Sequence, residues 1–375
     1  MIIKNIKIFT MESSPLENGY IIFEETIQEI GDMAAFPGGD ALDGAGLALY
    51  PGFIDAHTHL GMYGDALGFE ADDLNEATDP STPALRALDA VNPFDPCFGE
   101  ALRAGVTAVV TGPGSANPIA GQMIAMKTYG STVDEMLLKA PVAMKFALGE
   151  NPKKVYHGRK ESPSTRMATA AIIREQLCKT REYIEKQQRG DKPDLDWKLE
   201  ALALLFTQNL PMHIHAHRAD DIQTGIRIAE EFGLRYGIVH CTQGYKIAES
   251  LAARGVEALC GPILCDRSKP ELSGATPANP GLLRKAGVKT AVITDHPVTP
   301  QQYLPLCAGL AVREGMDYEE ALLSITRYPA EICGVDDRVG SLKPGKHADM
   351  VLFSQDPLTL AAKPLQVFAM GKGIL

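Results

Sequence analysis

The sequence predicts an α/β chain in which a (β/α)8 TIM barrel is inserted into a small β-sandwich domain formed by both termini. Three observations lead there. From Pro51 onward, apolar runs of strand length alternate with stretches of helical spacing. Both ends of the chain read instead as short strands, and neither holds enough residues for a core of its own. Histidines, a lysine and an aspartate fall at the ends of successive apolar runs, where the active groups of such barrels gather. The expected division is residues 1–50 with 338–375 as the small domain and 51–337 as the barrel.

At the start, Ile2–Phe9, Tyr20–Phe23 and Thr26–Ile30 read as strands, with a polar turn at Glu17-Asn18-Gly19. At the end, Ala348–Phe353 and Leu365–Met370 read as strands separated by Gln355-Asp356-Pro357. The barrel strands are expected at Gly52–His57, Val106–Thr111, Gln122–Tyr129, Val142–Leu148, Met212–His217, Gly237–Cys241, Glu257–Cys260 and Lys289–Thr294. Between them, Asp220–Phe232 carries Ile222, Ile226 and Ala229 at helical spacing and ends at Gly233, a fitting C-cap. Ser164–Gln188 reads as a long helix with Ile173, Leu177 and Ile184 on one face. A doubly wound open sheet is the alternative fold, but no Gly-rich dinucleotide fingerprint follows a strand.

The 375 residues suit one large barrel with an accessory domain. A hydrophobic content of 45% and a charged content of 22% are ordinary for a soluble globular protein. The net charge of −11, with no basic stripe, argues against nucleic acid as a partner. No apolar stretch reaches the roughly 18–20 residues that span a bilayer, so no membrane partner is expected. MIIKNIKIFT lacks a signal-peptide core, and the seven cysteines show no C-x-x-C spacing. A cytoplasmic protein with reduced thiols is expected, acting on a small molecule, with a homo-oligomer left open.

The first barrel strand ends in His57 and His59, two apart and therefore on one face of a regular strand. Imidazole is the commonest metal ligand, and zinc takes such nitrogens at about 2.0–2.1 Å. Strand four carries Lys145 inside Ala143-Met144-Lys145-Phe146-Ala147. Such a lysine either reaches solvent from an outward face or is carbamylated by CO2. Carbamylation yields an anionic ligand able to bridge two metals and removes the cost of a buried ammonium. Strand five offers His213, His215 and His217, strand six ends in His240, and strand eight ends Thr294-Asp295-His296.

This order of residues resembles the amidohydrolase superfamily of metal-dependent hydrolases over nearly the whole chain. The matching stretches are PGFIDAHTH at the barrel start, His240, Asp295 and the closing TRYPAEICGVDDRVGSLKPGKHADMVLF at residues 326–353. The resemblance implies a binuclear centre of two divalent metals, zinc in the first instance. His57, His59 and Asp295 would hold one ion, His215 and His240 the other, with a carbamylated Lys145 between them. His215 is preferred to His217 because IHAHRADDI resembles prolidase-like members, whose first histidine is the ligand. VAMKFALGE resembles the corresponding lysine segment of isoaspartyl dipeptidases. The superfamily's deaminases and imidazolonepropionases usually show His-x-x-Glu or His-x-x-Gln near strand five. Here Arg218 and Ala216 stand three beyond His215 and His213.

Two ions sharing a water would lower its pKa from 15.7 toward about 7, with Asp295 as the expected general base and acid. The reaction implied is hydrolysis of an amide or related non-ester C–N bond. Tyr156 and Arg159, together with Arg166, His217 and Arg218, are the expected substrate-binding residues. The cationic ones would clamp a carboxylate of an N-acyl amino acid or dipeptide. Glu150 would serve as a ligand if Lys145 did not. TGPGSANPIAGQ, residues 111–122, lacks the Gly-Lys-Ser/Thr of a phosphate loop. The long loop 62–95 carries eight acids against one Arg and is expected to be functional or subunit-contacting. The alternatives are a mononuclear deaminase or imidazolone or cyclic-amide hydrolase, and a catalytically inactive scaffold homologue.

Overall fold

In the computed structural model, residues 1–64 and 68–374 are described. The N-terminal strands are β1 (Ile2–Ile8), β2 (Leu16–Phe23), β3 (Ile27–Asp32), β4 (Leu42–Asp43) and β5 (Ala48–Pro51). Eight strands then form a second sheet: β6 (Phe53–Thr58), β7 (Val106–Thr111), β8 (Ile119–Lys127), β9 (Leu137–Ala147), β10 (Met212–Ala216), β11 (Tyr236–His240), β12 (Glu257–Cys260) and β13 (Lys289–Val292). The chain returns through β14 (Met350–Phe353), β15 (Gln366–Ala369) and β16 (Lys372–Gly373). Among the described residues no helix is long and apolar enough to cross a membrane.

The two ends of the chain meet in one hydrogen-bonded sheet, ordered β16-β15-β14-β5-β1-β2-β3 with β4 beside β1. Ile3, Ile6, Ile21, Phe23, Leu49, Met350 and Phe368 form its apolar cluster, so residues from both ends bury one another. The eight strands make a single sheet, and the two-layered sandwich expected from the sequence is not established by this arrangement. The turn expected at Glu17-Asn18-Gly19 also lies elsewhere. Those residues belong to β2, where Gly19 pairs with Ile6 and with Asp32.

The barrel sheet runs β6 to β13 in sequence order, but its strands are not all parallel. β8 is antiparallel to both β7 and β9. Parallel neighbours need a crossover of a dozen or more residues. The β7–β8 link is only residues 112–118, rich in Gly and Pro, and makes a hairpin. From β9 to β13 the pairing is parallel, with helices in the connections. One of these, Arg166–Gln188, is capped by the Thr165 hydroxyl accepting from the Ala168 N–H and buries Ile173, Leu177 and Ile184. Another, Ala219–Phe232, ends at Gly233 in the left-handed conformation.

Alternation sorts the strand residues between two environments. Met144, Phe146, Met212 and Ile214 pack with the surrounding helices. Ala143, Val239, Leu259, Ala291 and Ile293 pack together on the other face, joined by Ala330, Ile332 and Cys333 of the helix Arg327–Cys333.

A buried carboxylate ties β6 to the segment that follows β13. Asp55 accepts hydrogen bonds from the Thr294 N–H (3.0 Å), the Thr294 hydroxyl (2.5 Å) and the Gln301 amide (2.8 Å), and from the His57 N–H (3.1 Å). The Asp295 N–H donates to the His57 carbonyl at 3.3 Å beside it. Burial raises the Asp55 carboxyl to about 6 against the pull of these donors, so it is ionised at neutral pH. Asp55→Ala would strand three buried nitrogen donors at once. We expect a loss of about 3–5 kcal/mol of stability by urea unfolding; a loss below about 1 kcal/mol would show that closure rests on other contacts.

Candidate metal centre

Lys145 and His213 pair in register across β9 and β10, as do Ala147 and His215, so these residues share one face of the sheet. That face points inward, because Met144 and Phe146 take the helix side. Lys145 is fully buried, and the alternative of a lysine reaching solvent does not occur. Its Nζ lies 2.8 Å from His57 Nε2, and burial lowers its pKa to about 7, leaving the amine neutral in much of the population at that pH.

His240 would point outward by strict alternation, since it pairs with Ala216 and Cys260 on the helix side. Its ring instead lies 4.5 Å from that of His215 and 4.4 Å from that of His217. The backbone accounts for this: His240 and Cys241 have φ of 70° and 49°, which breaks the strand and turns the side chain inward. Asp295 also has a positive φ, 54°. Such left-handed residues cost of order 1–3 kcal/mol each and mark places the surrounding structure over-determines.

Backbone carbonyls set two of the rings. His59 Nδ1–H donates to the Gly112 carbonyl at 2.7 Å, and His240 Nδ1–H donates to the Gly261 carbonyl at 2.8 Å. A carbonyl can only accept, so both rings keep the Nε2 lone pair free for another partner. Asp295 Oδ1 is 3.3 Å from His59 Nε2 and 3.5 Å from His57 Nε2. Burial alone would raise the Asp295 pKa, but His240, His59 and Lys145 outweigh it and hold the carboxyl at about 2.

These residues offer two groups of ligand atoms, each within 4.8 Å of one another: His57, His240 and Asp295, and His215, His217 and His240. His215 is buried with no hydrogen-bond partner on either ring nitrogen, and His57 Nδ1 is also unpartnered. An unpaired buried polar atom costs about 1–3 kcal/mol. Several such nitrogens around one space, beside an ionised carboxylate, fit a bound divalent cation.

The geometry departs from the expected site in three ways. His217, read as substrate-binding, groups with His215 and His240. Its Nδ1 lies 2.8 Å from the Thr242 hydroxyl and its Nε2 lies 3.6 Å from Glu271 Oε1. Glu271 itself was missed, because a lone glutamate in the loop after β12 carries no pattern. It is buried, pairs with Lys269 at 2.7 Å and accepts from the Glu150 N–H at 3.0 Å. Glu150 thus contributes its backbone here. Gly149, at φ 84°, admits this approach: a Cβ there would lie 2.9 Å from Glu271 Oε2.

The third departure concerns the carboxylate clamp. Arg166 pairs with Asp221 at 2.9 Å, and Arg218 makes a forked pair with Asp220 at 2.9 and 2.7 Å. Both guanidiniums are thus already engaged by acids of the helix Ala219–Phe232. Tyr156 is buried and donates to Asn117 Oδ1 at 2.6 Å, while Arg159 is exposed. None of these four residues lines the cavity beside His240.

Burial lowers His213 to about 3 and His240 to about 4, and pushes His57, His215 and His217 well down. An unfolded histidine titrates near 6.5. Between about 6.5 and 4 the unfolded chain therefore binds more protons, so stability falls as the pH falls. Chelator-treated protein should melt at progressively lower temperature across that window. An unchanged melting temperature between pH 7 and about 4.5 would mean that these rings accept protons freely in the folded protein.

The sequence profile of the Amidohydrolase family matches residues 48–373. A solved amidohydrolase from Thermotoga maritima MSB8 is 40% identical, with a TM-score of 0.95 over 100% of this chain and 99% of its own. The amidohydrolase tasK of Hapsidospora irregularis is 29% identical over 360 residues, 88% of this chain. This chain spans only 36% of the length of tasK. An imidazolonepropionase from a Polaromonas species is 25% identical over 380 residues, covering 90% of this chain and 83% of its own. The barrel sheet, the buried His/Asp groups at its strand ends and these matches agree: the chain belongs to the amidohydrolase family of hydrolases acting on carbon–nitrogen bonds.

Proposed function

We propose that the protein hydrolyses an amide or related non-ester C–N bond in a small carboxylate-bearing molecule, an N-acyl amino acid or a dipeptide. The observation that supports this most is the gathering of buried histidines, Lys145 and an ionised Asp295 at one end of the barrel. On this reading His57, His59 and Asp295 would hold one zinc ion and His215 and His240 a second, and a carbamylated Lys145 would supply a further anionic ligand. Bound there, divalent ions supply Lewis-acid polarisation of the scissile carbonyl and acidify water.

The chain's own groups do the rest. The neutral amine that burial favours at Lys145 is the form that adds CO2. Asp295, ionised and facing His59, accepts the proton of the attacking water and returns it to the leaving nitrogen, which departs as an amine. The carbonyl bonds of Gly112 and Gly261 hold two imidazoles in the tautomer that points Nε2 inward. We further assign residues 1–50 and 338–375 to the small domain and 51–337 to the barrel. The seven free cysteines fit a cytoplasmic setting.

A second reading, hydrolysis of a cyclic amide at a mononuclear centre, draws on the similarity to imidazolonepropionase. Metal analysis separates the two: about two ions per chain supports the first reading, and one per chain, unchanged in Lys145→Ala, the second. Asp295→Asn should fold as the wild type but lose roughly 10²–10⁴-fold in kcat/KM, because an amide cannot take the proton. Turnover within a few-fold of wild type would assign the base elsewhere.

A further inference from the structure

Beside His240 and Thr242 lies a cavity of about 290 Å³, walled by the loop that follows β12. Arg267 lines it. One of its N–H groups donates to the Ala275 carbonyl at 2.8 Å, and among the described residues no carboxylate lies within 4.0 Å of its guanidinium. Arg166 and Arg218, by contrast, are each matched to an aspartate. A guanidinium carries five donors in a planar fork that fits a carboxylate two-pronged. Anchoring one donor on a carbonyl fixes the group while leaving the others available.

We propose that Arg267 is the specificity-determining residue that receives the substrate carboxylate, in a subsite formed by the loop between Gly261 and Pro280. The inference rests on the hydrolase reading above. His240 reaches both the metal-binding groups and this cavity, so the subsite adjoins the place of reaction. Its volume sits at the lower end of small-molecule pockets, about 300–1,000 Å³, which suits a substrate with a short link between carboxylate and scissile carbonyl. Asp266 shares the wall and repels a second carboxylate, so the preferred substrate is a monocarboxylate. Ile263 and Leu272 supply apolar contact for the rest of that fragment.

The test uses the purified holoenzyme and a probe without a scissile bond. 4-Oxo-4-phenylbutanoate is the CH2-for-NH isostere of N-benzoylglycine, and its carboxamide is the uncharged control. Calorimetric titration should show the acid binding roughly ten- to a hundred-fold more tightly than the amide. Arg267→Ala should bring the ratio near one, Arg267→Lys should restore part of it, and Arg218→Ala should leave it as in wild type. A ratio unchanged in Arg267→Ala overturns the proposal, as does equal binding of acid and amide by the wild type. Tighter binding of the amide, reversed in Asp266→Asn, also overturns it and gives the wall to cations. A separate panel of N-acyl amino acids and dipeptides reports on the reaction. If none is cleaved while acid preference still depends on Arg267, the substrate reading fails and the subsite stands.

Discussion

The carboxylate of Asp55 holds the first barrel strand to the segment after the last, and the candidate site is built around that junction. Its partners include the backbone of Thr294, one residue before Asp295, and the backbone of His57. The same group therefore positions two members of the His57, His240 and Asp295 set. Ladder hydrogen bonds run from β6 through to β13 but do not join those two end strands. Without the side-chain clasp, the Asp55 donors would be buried and unpaired at the seam, a cost of about 1–3 kcal/mol each.

The candidate metal centre is costly to maintain, and the cost is concentrated at a few of its residues. His240, Cys241 and Asp295 occupy left-handed backbone conformations, and His215 has two buried nitrogens without a partner. None of this improves the apolar packing around it. The barrel tolerates it because the alternate faces of the same strands bury Met144, Phe146, Ile214 and Ile238 against helices. Packing on one face of each strand offsets polarity and strain on the other.

The charges follow the same economy. Burial lowers His240 to about 4 and Lys145 to about 7, while the carboxyl of Asp295 is held at about 2 against burial by its closeness to His240, His59 and Lys145. Pushing an acid and a base apart within one buried cluster is how a fold carries out proton transfer near neutral pH. Glu271 extends the arrangement on the far side of His217, where Lys269 and the Glu150 N–H keep it ionised against burial.

Local pattern alone determined much of this protein. Apolar runs located all eight barrel strands, with Val106–Thr111 and Glu257–Cys260 bounded as observed, and helical spacing located Ala219–Phe232 up to its Gly233 cap. The same runs marked His57, Lys145, His215, His240 and Asp295 as strand-end polar residues, because a polar group inside an apolar stretch is conspicuous. Strand direction was decided by tertiary structure, since alternation reads the same both ways and only the short 112–118 link makes β8 antiparallel. The inward turn of His240 was invisible for a related reason: it depends on a backbone angle that departs from alternation. Basic composition does not reveal where the acids fall, so the pairing of Arg218 with Asp220 and of Arg166 with Asp221 was decided by folding. Glu271 and Arg267 lie in a polar loop without periodicity, so only folding brings one beside the histidines and the other into the cavity that His240 borders.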